Sequence, residues 1–452
     1  MKSSTWQRVA LIAALWTSAV APAQSQQAAA KPDPAASQVS AQGQRIYEGT
    51  RDQLLQVRTL LKEQDSQASV GSAFVVDGSG LAITNYHVVS QYALRPERYR
   101  LAFTMAQGRS GSAELLAIDV IHDLALVKLK PGAGSAPIDV APLVFRPAGT
   151  PLAKGERLYS LGNPLDVGFA VAEGVYNGLV ERSFLPQIFF GGSLNPGMSG
   201  GPAVDELGRV IGINVATQRG GEQVSFLVPG VLARELLERG RNAKPLTQPM
   251  HDEVTRQLKV HQAALVDAFI KQPWRSANHP RYRVPVPQET FMRCWGSTSP
   301  DTNKYLRFER SDCMMNHAVY ATSTLRAGVI NVRHESYDGD KLGALRFARE
   351  YSSSFANERF DDSFGVTAPR CKERFTTGDG PTLRTVVCLS ALKRFDGLFN
   401  LSVLTTTVDQ PTQGVQGRLD AVAIDFPNAL RLTDHYLQGF GWNLPTTKSD
   451  PR

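Results

Sequence analysis

The chain has 452 residues, with 49 Lys and Arg against 42 Asp and Glu, for a net charge of +7. At 42% apolar and 20% charged residues it has the composition of a globular protein of two or three domains, which excludes a disordered or fibrous chain. Its basic residues are interspersed with acids and form no long run, so the composition points away from nucleic acid and toward a solvated surface of mixed charge.

Lys2 and Arg8 precede an apolar run over 9–21 that ends on the small residues Ala21-Pro22-Ala23. This is the layout of a secretory signal over 1–23, with cleavage expected after Ala23. The run includes Trp16, Thr17 and Ser18 and falls short of the ~20 apolar residues of a membrane span. An exported chain, periplasmic or secreted, with no transmembrane span after signal cleavage is expected. Residues 24–45 are polar, rich in Ala, Gln and Pro, and aperiodic, as in a flexible leader.

From 46 to 61 helix and strand character are mixed. Short apolar runs then follow at 73–76, 81–84, 100–103, 113–118 and 124–129, separated by Gly, Pro, Asn and Asp. More lie at 157–161, 174–180, 187–190, 203–204, 210–215 and 224–228, before a helical stretch over 231–239. Many short antiparallel strands at this spacing predict an all-β, double-barrel module over 46–245. Val254, Leu258, Leu265 and Phe269 share one helical face, which predicts an amphipathic connecting helix within 246–275. Beyond it, strand-like runs mix with helical patterns at 342–355 and 428–437, giving a separate α+β domain over 276–452.

All four cysteines, Cys294, Cys313, Cys371 and Cys388, fall in this last domain, and none forms the tight C-x-x-C pair of a zinc or redox centre. Disulfides fit an exported chain better. Of three possible pairings, sequence neighbours are favoured: Cys294 with Cys313 and Cys371 with Cys388, each closing a loop worth about 3 kcal/mol.

Three segments carry the chemistry: Thr84-Asn85-Tyr86-His87-Val88-Val89, His122-Asp123-Leu124, and Asn195-Pro196-Gly197-Met198-Ser199-Gly200-Gly201. They supply a histidine at the end of a strand-like run, an acid heading a very apolar strand, and a serine in a glycine-rich loop. The glycines permit positive φ angles, so the loop can present the hydroxyl and aim the Gly197 and Ser199 N–H groups at a developing oxyanion. His87 as general base, Asp123 as its orienting partner and Ser199 as nucleophile make a serine peptidase. Gly197 to Gly201 also spells Gly-x-Ser-x-Gly. An α/β-hydrolase is nonetheless excluded, because that motif follows no strand, precedes no helix, and comes after the acid and histidine.

These segments resemble the trypsin-like serine peptidases of the bacterial stress-protease (HtrA/Deg) type. The likeness extends to Gly71-Ser72-Ala73-Phe74-Val75-Val76, Leu161-Gly162-Asn163-Pro164, Glu173-Gly174-Val175 and Gly212-Ile213-Asn214, and covers roughly 66–235. It implies two six-stranded barrels with the site between them, and no metal or organic cofactor. The expected fold is therefore mainly β: a trypsin-like double β-barrel, then the disulfide-containing α+β domain. The chain departs from digestive relatives in having Met198 before the nucleophile, which removes the acid that a newly cut amino terminus would pair with. It also has Ser193 where trypsin-like pockets carry Asp. With Ile213, Asn214, Val215 and Ala216, this suggests a small apolar substrate pocket and cleavage after small apolar residues.

The expected activity is that of an endopeptidase on unfolded or damaged envelope proteins. The alternative is a catalytically weak, polypeptide-binding chaperone or envelope-binding scaffold on a peptidase fold. Stress proteases of this type usually carry PDZ modules, and no carboxylate-binding loop of that kind is evident in 246–452. An envelope or protein partner is instead expected to act through the C-terminal domain.

Overall fold

The computed structural model describes residues 39–134, 136–215, 224–276, 279–299, 306–322, 324–355, 365–376 and 379–443. Six strands, β1 (Leu54–Leu61), β2 (Gln67–Asp77), β3 (Leu81–Thr84), β4 (Tyr99–Met105), β5 (Ser110–Asp119) and β6 (Leu124–Pro131), close a first barrel in the order β1-β2-β3-β6-β5-β4. β4 alternates strictly, burying Tyr99, Leu101, Phe103 and Met105, as a half-covered strand must. A second barrel closes from β7 (Arg157–Gly162), β8 (Ala170–Leu179), β9 (Ile188–Phe190), β10 (Pro202–Val204), β11 (Val210–Val215) and β12 (Ser225–Pro229), in the order β10-β11-β12-β9-β8-β7.

Two helices that the sequence pattern did not set apart pack on the barrels, one beside β7 and β8 and the next against the first barrel. Helix α1 (Ala41–Thr50) starts inside the segment read as a flexible leader. Ser40 caps it by accepting from Gly43 N–H, Glu173 accepts the Ser40 N–H at 2.7 Å, and Ile46 is buried beside Leu54 in the barrel core. Its composition hid a helix that long-range contacts hold down. Helix α2 (Tyr86–Leu94) carries His87 in its first turn, so that residue is not at a strand end. Val88 and Val89 gave the segment its strand-like look, and both are buried in the barrel core.

Beyond the barrels, α3 (Gly230–Gly240) packs on them and α4 (His251–Ile270) leads onward. Further on, α5 (Ala344–Ser354) and α6 (Phe426–Gln438) accompany a seven-stranded antiparallel sheet. Its order is Met292–Thr298, Arg307–Met315, Val329–Asp338, Gln413–Asp425, Leu398–Thr407, Leu383–Ala391 and Arg370–Thr376. The predicted face of α4 is buried, but against two different bodies. Leu265 and Phe269 join a sheet core with Val403, Leu419, Leu432 and Tyr436. Val254 and Leu258 join the first-barrel core with Leu55, Tyr86 and Val89, and Val319, Ala321, Phe395 and Leu398 enter that same core from the sheet domain.

Both expected disulfides form, Cys294–Cys313 and Cys371–Cys388, each between residues directly opposite on neighbouring strands. No described helix is long and apolar enough to cross a membrane. Replacing Cys371 and Cys388 together by serine is expected to lower stability by about 3 kcal/mol. The loss will be read as a lower denaturant midpoint in non-reducing buffer.

Candidate active site

The pairing of β3 with β6 sets Thr84 opposite Ala125, so the chain leaving β3 and the chain entering β6 lie side by side. Asp123, just before β6, has φ of 56°, a left-handed conformation that Asp tolerates better than most residues. Asn85 occupies the N-cap position of α2 without capping it. Its Nδ2 instead donates to the Asp123 backbone carbonyl at 2.7 Å. The helix-end N–H of His87 is satisfied by Asp123 Oδ1 at 2.8 Å, while Asp123 Oδ2 lies 2.7 Å from His87 Nδ1. One carboxylate thus fixes both the backbone and the ring. An ionised carboxylate only accepts, so Nδ1 carries the proton and Nε2 is left as the basic lone pair. Burial disfavours the charged imidazole, but the Asp123 charge and hydrogen bond together outweigh it and hold the His87 pKa above the ordinary histidine value.

Ser199 and His87 flank the start of the buried part of β2. A Cβ on Gly71 would lie 2.4 Å from Val88 Cγ2 and 2.9 Å from the Ser199 carbonyl oxygen. Ser72 N–H donates to that carbonyl at 2.7 Å. Gly200, at φ of 86°, approaches closely enough that a Cβ would stand 2.8 Å from Asn85 N. Only glycine lets the serine loop and the histidine segment come this near.

The geometry of the serine loop is set by hydrogen bonds that sequence reasoning missed. Leu165 N–H donates to the Pro196 carbonyl at 2.7 Å, which turns the Gly197 N–H the opposite way. Ser72 Oγ donates to the Gly197 carbonyl at 2.7 Å and accepts from Asn163 N–H at 2.8 Å, tying the loop to both barrels. Gly197 has φ of 94°, and a Cβ there would lie 2.4 Å from the Asn163 carbonyl oxygen. Among the described residues its N–H has no intramolecular acceptor. Ser72 and Asn163 stood inside the strings Gly71-Ser72 and Gly162-Asn163, where their hydroxyl and backbone positions were the unread signal.

The expected pocket residues divide. Ser193 is exposed and Val215 is half-buried at the end of β11. Ile213 is buried in the barrel core. The Asn214 side chain is committed beneath the serine loop, donating to the Leu161 carbonyl at 2.9 Å and the Met198 carbonyl at 3.2 Å and accepting from Ser160 Oγ at 2.8 Å. Both side chains are thus spent inside the barrel, and the backbone of both residues is paired there too, Ile213 with Pro202 and Val228 and Asn214 with Gly200, Gly201 and Leu227. Ala216 lies outside the described residues. Among the described residues no cluster of His, Cys, Asp or Glu is arranged to hold a metal.

Residues 71–213 match the family model of the trypsin-like peptidase domain. This chain carries an HtrA-type trypsin-like protease module. Over 170 residues it is 31% identical to the putative serine protease HhoA of Synechocystis, covering 36% of this chain and 40% of that protein. Over 183 residues it is 28% identical to a probable periplasmic serine endoprotease, DegP-like, of Marinomonas, covering 39% and 36%. A solved serine endoprotease from Yersinia pestis superposes with TM-score 0.38 at 22% identity, over 45% of this chain and 69% of that one. The chain spans about two fifths of the length of the curated relatives it matches.

Gly197→Ala is expected to lower kcat about 10²- to 10³-fold while the fold persists, as measured by peptide hydrolysis beside near-ultraviolet circular dichroism. The base works only when neutral, so a raised His87 pKa places the acid limb of kcat/KM above the ordinary histidine value. Asp123→Asn removes what raises it and leaves the burial that lowers it. That variant should shift the limb to lower pH and cut kcat about 10⁴-fold.

Proposed function

We propose that this protein is an exported serine endopeptidase that cleaves unfolded or damaged envelope polypeptides through an acyl-enzyme. The single observation that carries this reading is the Asp123 carboxylate, held at 2.8 Å from His87 N and 2.7 Å from His87 Nδ1, next to a serine loop whose Gly197 N–H is left available. In this mechanism Ser199 attacks the scissile carbonyl as His87 Nε2 takes its proton. Asp123 stabilises the imidazolium, and the Gly197 and Ser199 N–H groups receive the oxyanion. His87 then returns the proton to the leaving amine, and water repeats the sequence to release the acyl group. The serine protease names of the relatives support the same reaction.

The organisation that accompanies this reading is a peptidase domain over 46–245, a helical connector over 246–275 and a C-terminal domain over 276–452. Exposed, uncharged Ser193 and half-buried Val215 favour a small apolar residue before the cut. Export rests on the amino-terminal pattern, the two disulfides and the periplasmic description of a relative.

The test is cleavage of casein by the purified chain beside Ser199→Ala, with a fluorophosphonate probe on the same samples. Turnover should fall about 10⁶-fold and labelling should vanish in the variant. An unlabelled, inactive wild type would overturn the reading in favour of a binding scaffold. A cleavage profile dominated by Arg or Lys would overturn the proposed pocket.

A further inference from the structure

The chain that leaves the second barrel runs along the back of the two elements that bear His87 and Asp123. Tyr92 of α2 donates its hydroxyl to the Leu246 carbonyl at 3.3 Å, and Met250 N–H donates to the Ala93 carbonyl at 2.9 Å. Leu246 N–H donates to the Leu115 carbonyl at 2.7 Å. β5 pairs with β4 only as far as Ala113, so from Leu115 onward one edge of β5 has no strand beside it. α4 covers that edge. Gln257 Oε1 accepts from Val120 N–H at 2.8 Å, and its Nε2 donates to the Ile118 carbonyl at 3.1 Å. A primary amide offers an acceptor and a donor side by side, which reproduces the hydrogen bonding of a missing strand. Glu253, one turn earlier and ion-paired with Arg256, accepts the second Nε2 proton at 2.8 Å and sets which way the amide faces.

Val120 opens the turn that ends at Asp123. Within the turn, Asp119 engages the His122 N–H at 3.1 Å and Nδ1 at 3.0 Å, and Asp123 N–H reaches the Val120 carbonyl at 3.4 Å. Where Val120 is held, Asp123 is held, and Asp123 holds His87. From the sheet domain, the Ala321 carbonyl accepts from the hydroxyl of Tyr86, the fully buried neighbour of His87, at 3.0 Å.

We propose that Gln257 is a positioning residue for Asp123, and that the chain beyond the barrels completes the frame of the active site rather than serving only as a detachable recognition module. This rests on the serine-peptidase reading above. Gln257 touches no reacting atom. It acts through Val120 and Asp123 on the orientation of the His87 ring, so its loss slows turnover without altering the surfaces that bind substrate.

The test uses the full chain with Gln257→Met, which removes all three amide contacts, two to the strand end and one to Glu253, at similar volume. Its control is Gln262→Met on the same helix, whose amide donates to Asp425 Oδ2 at 2.8 Å, away from the turn. Gln257→Met is expected to lower kcat roughly 10- to 100-fold with KM unchanged. It should also move the acid limb of the pH profile downward and shift the downfield proton resonance of His87 Nδ1–H. Gln262→Met should leave all three as in wild type. A folded Gln257→Met variant with wild-type kcat, limb and resonance would overturn the proposal. If that variant does not fold, Gln257→Lys keeps a donor for the Ile118 carbonyl but offers no acceptor for Val120 N–H, and wild-type behaviour there would overturn it equally. An inactive wild type whose Nδ1–H resonance still responds to Gln257→Met would defeat the peptidase reading while supporting the positioning role.

Discussion

Everything in this site hangs on one carboxylate with two obligations. Asp123 takes a helix-end N–H that would otherwise be orphaned, and it takes the ring proton of the same residue. The first contact anchors α2 to β6, and the second selects the tautomer. A single side chain therefore couples the strand register to the protonation state of the His87 ring. Because Asn85 spends its side chain on the Asp123 carbonyl rather than on its own helix, the acid is gripped at both its main chain and its side chain. A group so constrained loses little further entropy when charge develops on the imidazole, which is the condition for electrostatic preorganisation.

The serine loop of the second barrel is held largely through its backbone carbonyls. Their partners lie in both barrels: Pro196 to Leu165, Gly197 to Ser72, and Ser199 to Ser72 N–H. Ser72 is the common member. Its hydroxyl and amide together serve two carbonyls of the loop, and it accepts from Asn163 as well. The loop conformation therefore depends on the barrels keeping their spacing, and Gly71 and Gly200 mark where that spacing is too small for any side chain.

Local pattern carried much of this into the sequence. Strand spacing, the serine loop and its glycines, the apolar face of α4 and the neighbour pairing of the cysteines are all short-range signals, and the structure has them where the pattern put them. What the pattern hid was tertiary. His87 looked like the end of a strand because it follows the run 81–84 and precedes the β-branched Val88 and Val89, while the helical turn it opens is fixed by Asp123 from another segment. Asn214 looked like a pocket residue because it follows Ile213 at a strand end, yet its amide is spent on three partners within the barrel. The face of α4 was legible, but not that its two halves bury against different bodies. Periodicity reports that a face is covered and says nothing of what covers it.

The seven-stranded sheet has its disulfides at its two ends. Cys294–Cys313 joins one outermost strand to its neighbour, and Cys371–Cys388 joins the other. Outermost strands are where a sheet peels first and where a foreign extended segment gains its foothold. Each here is fastened covalently to the strand inside it, and Arg370, Lys372 and Arg374 line one of them with positive charge. An extended segment from another chain can add to a sheet or exchange with its margin, and this sheet cannot shed either margin strand to make room for one.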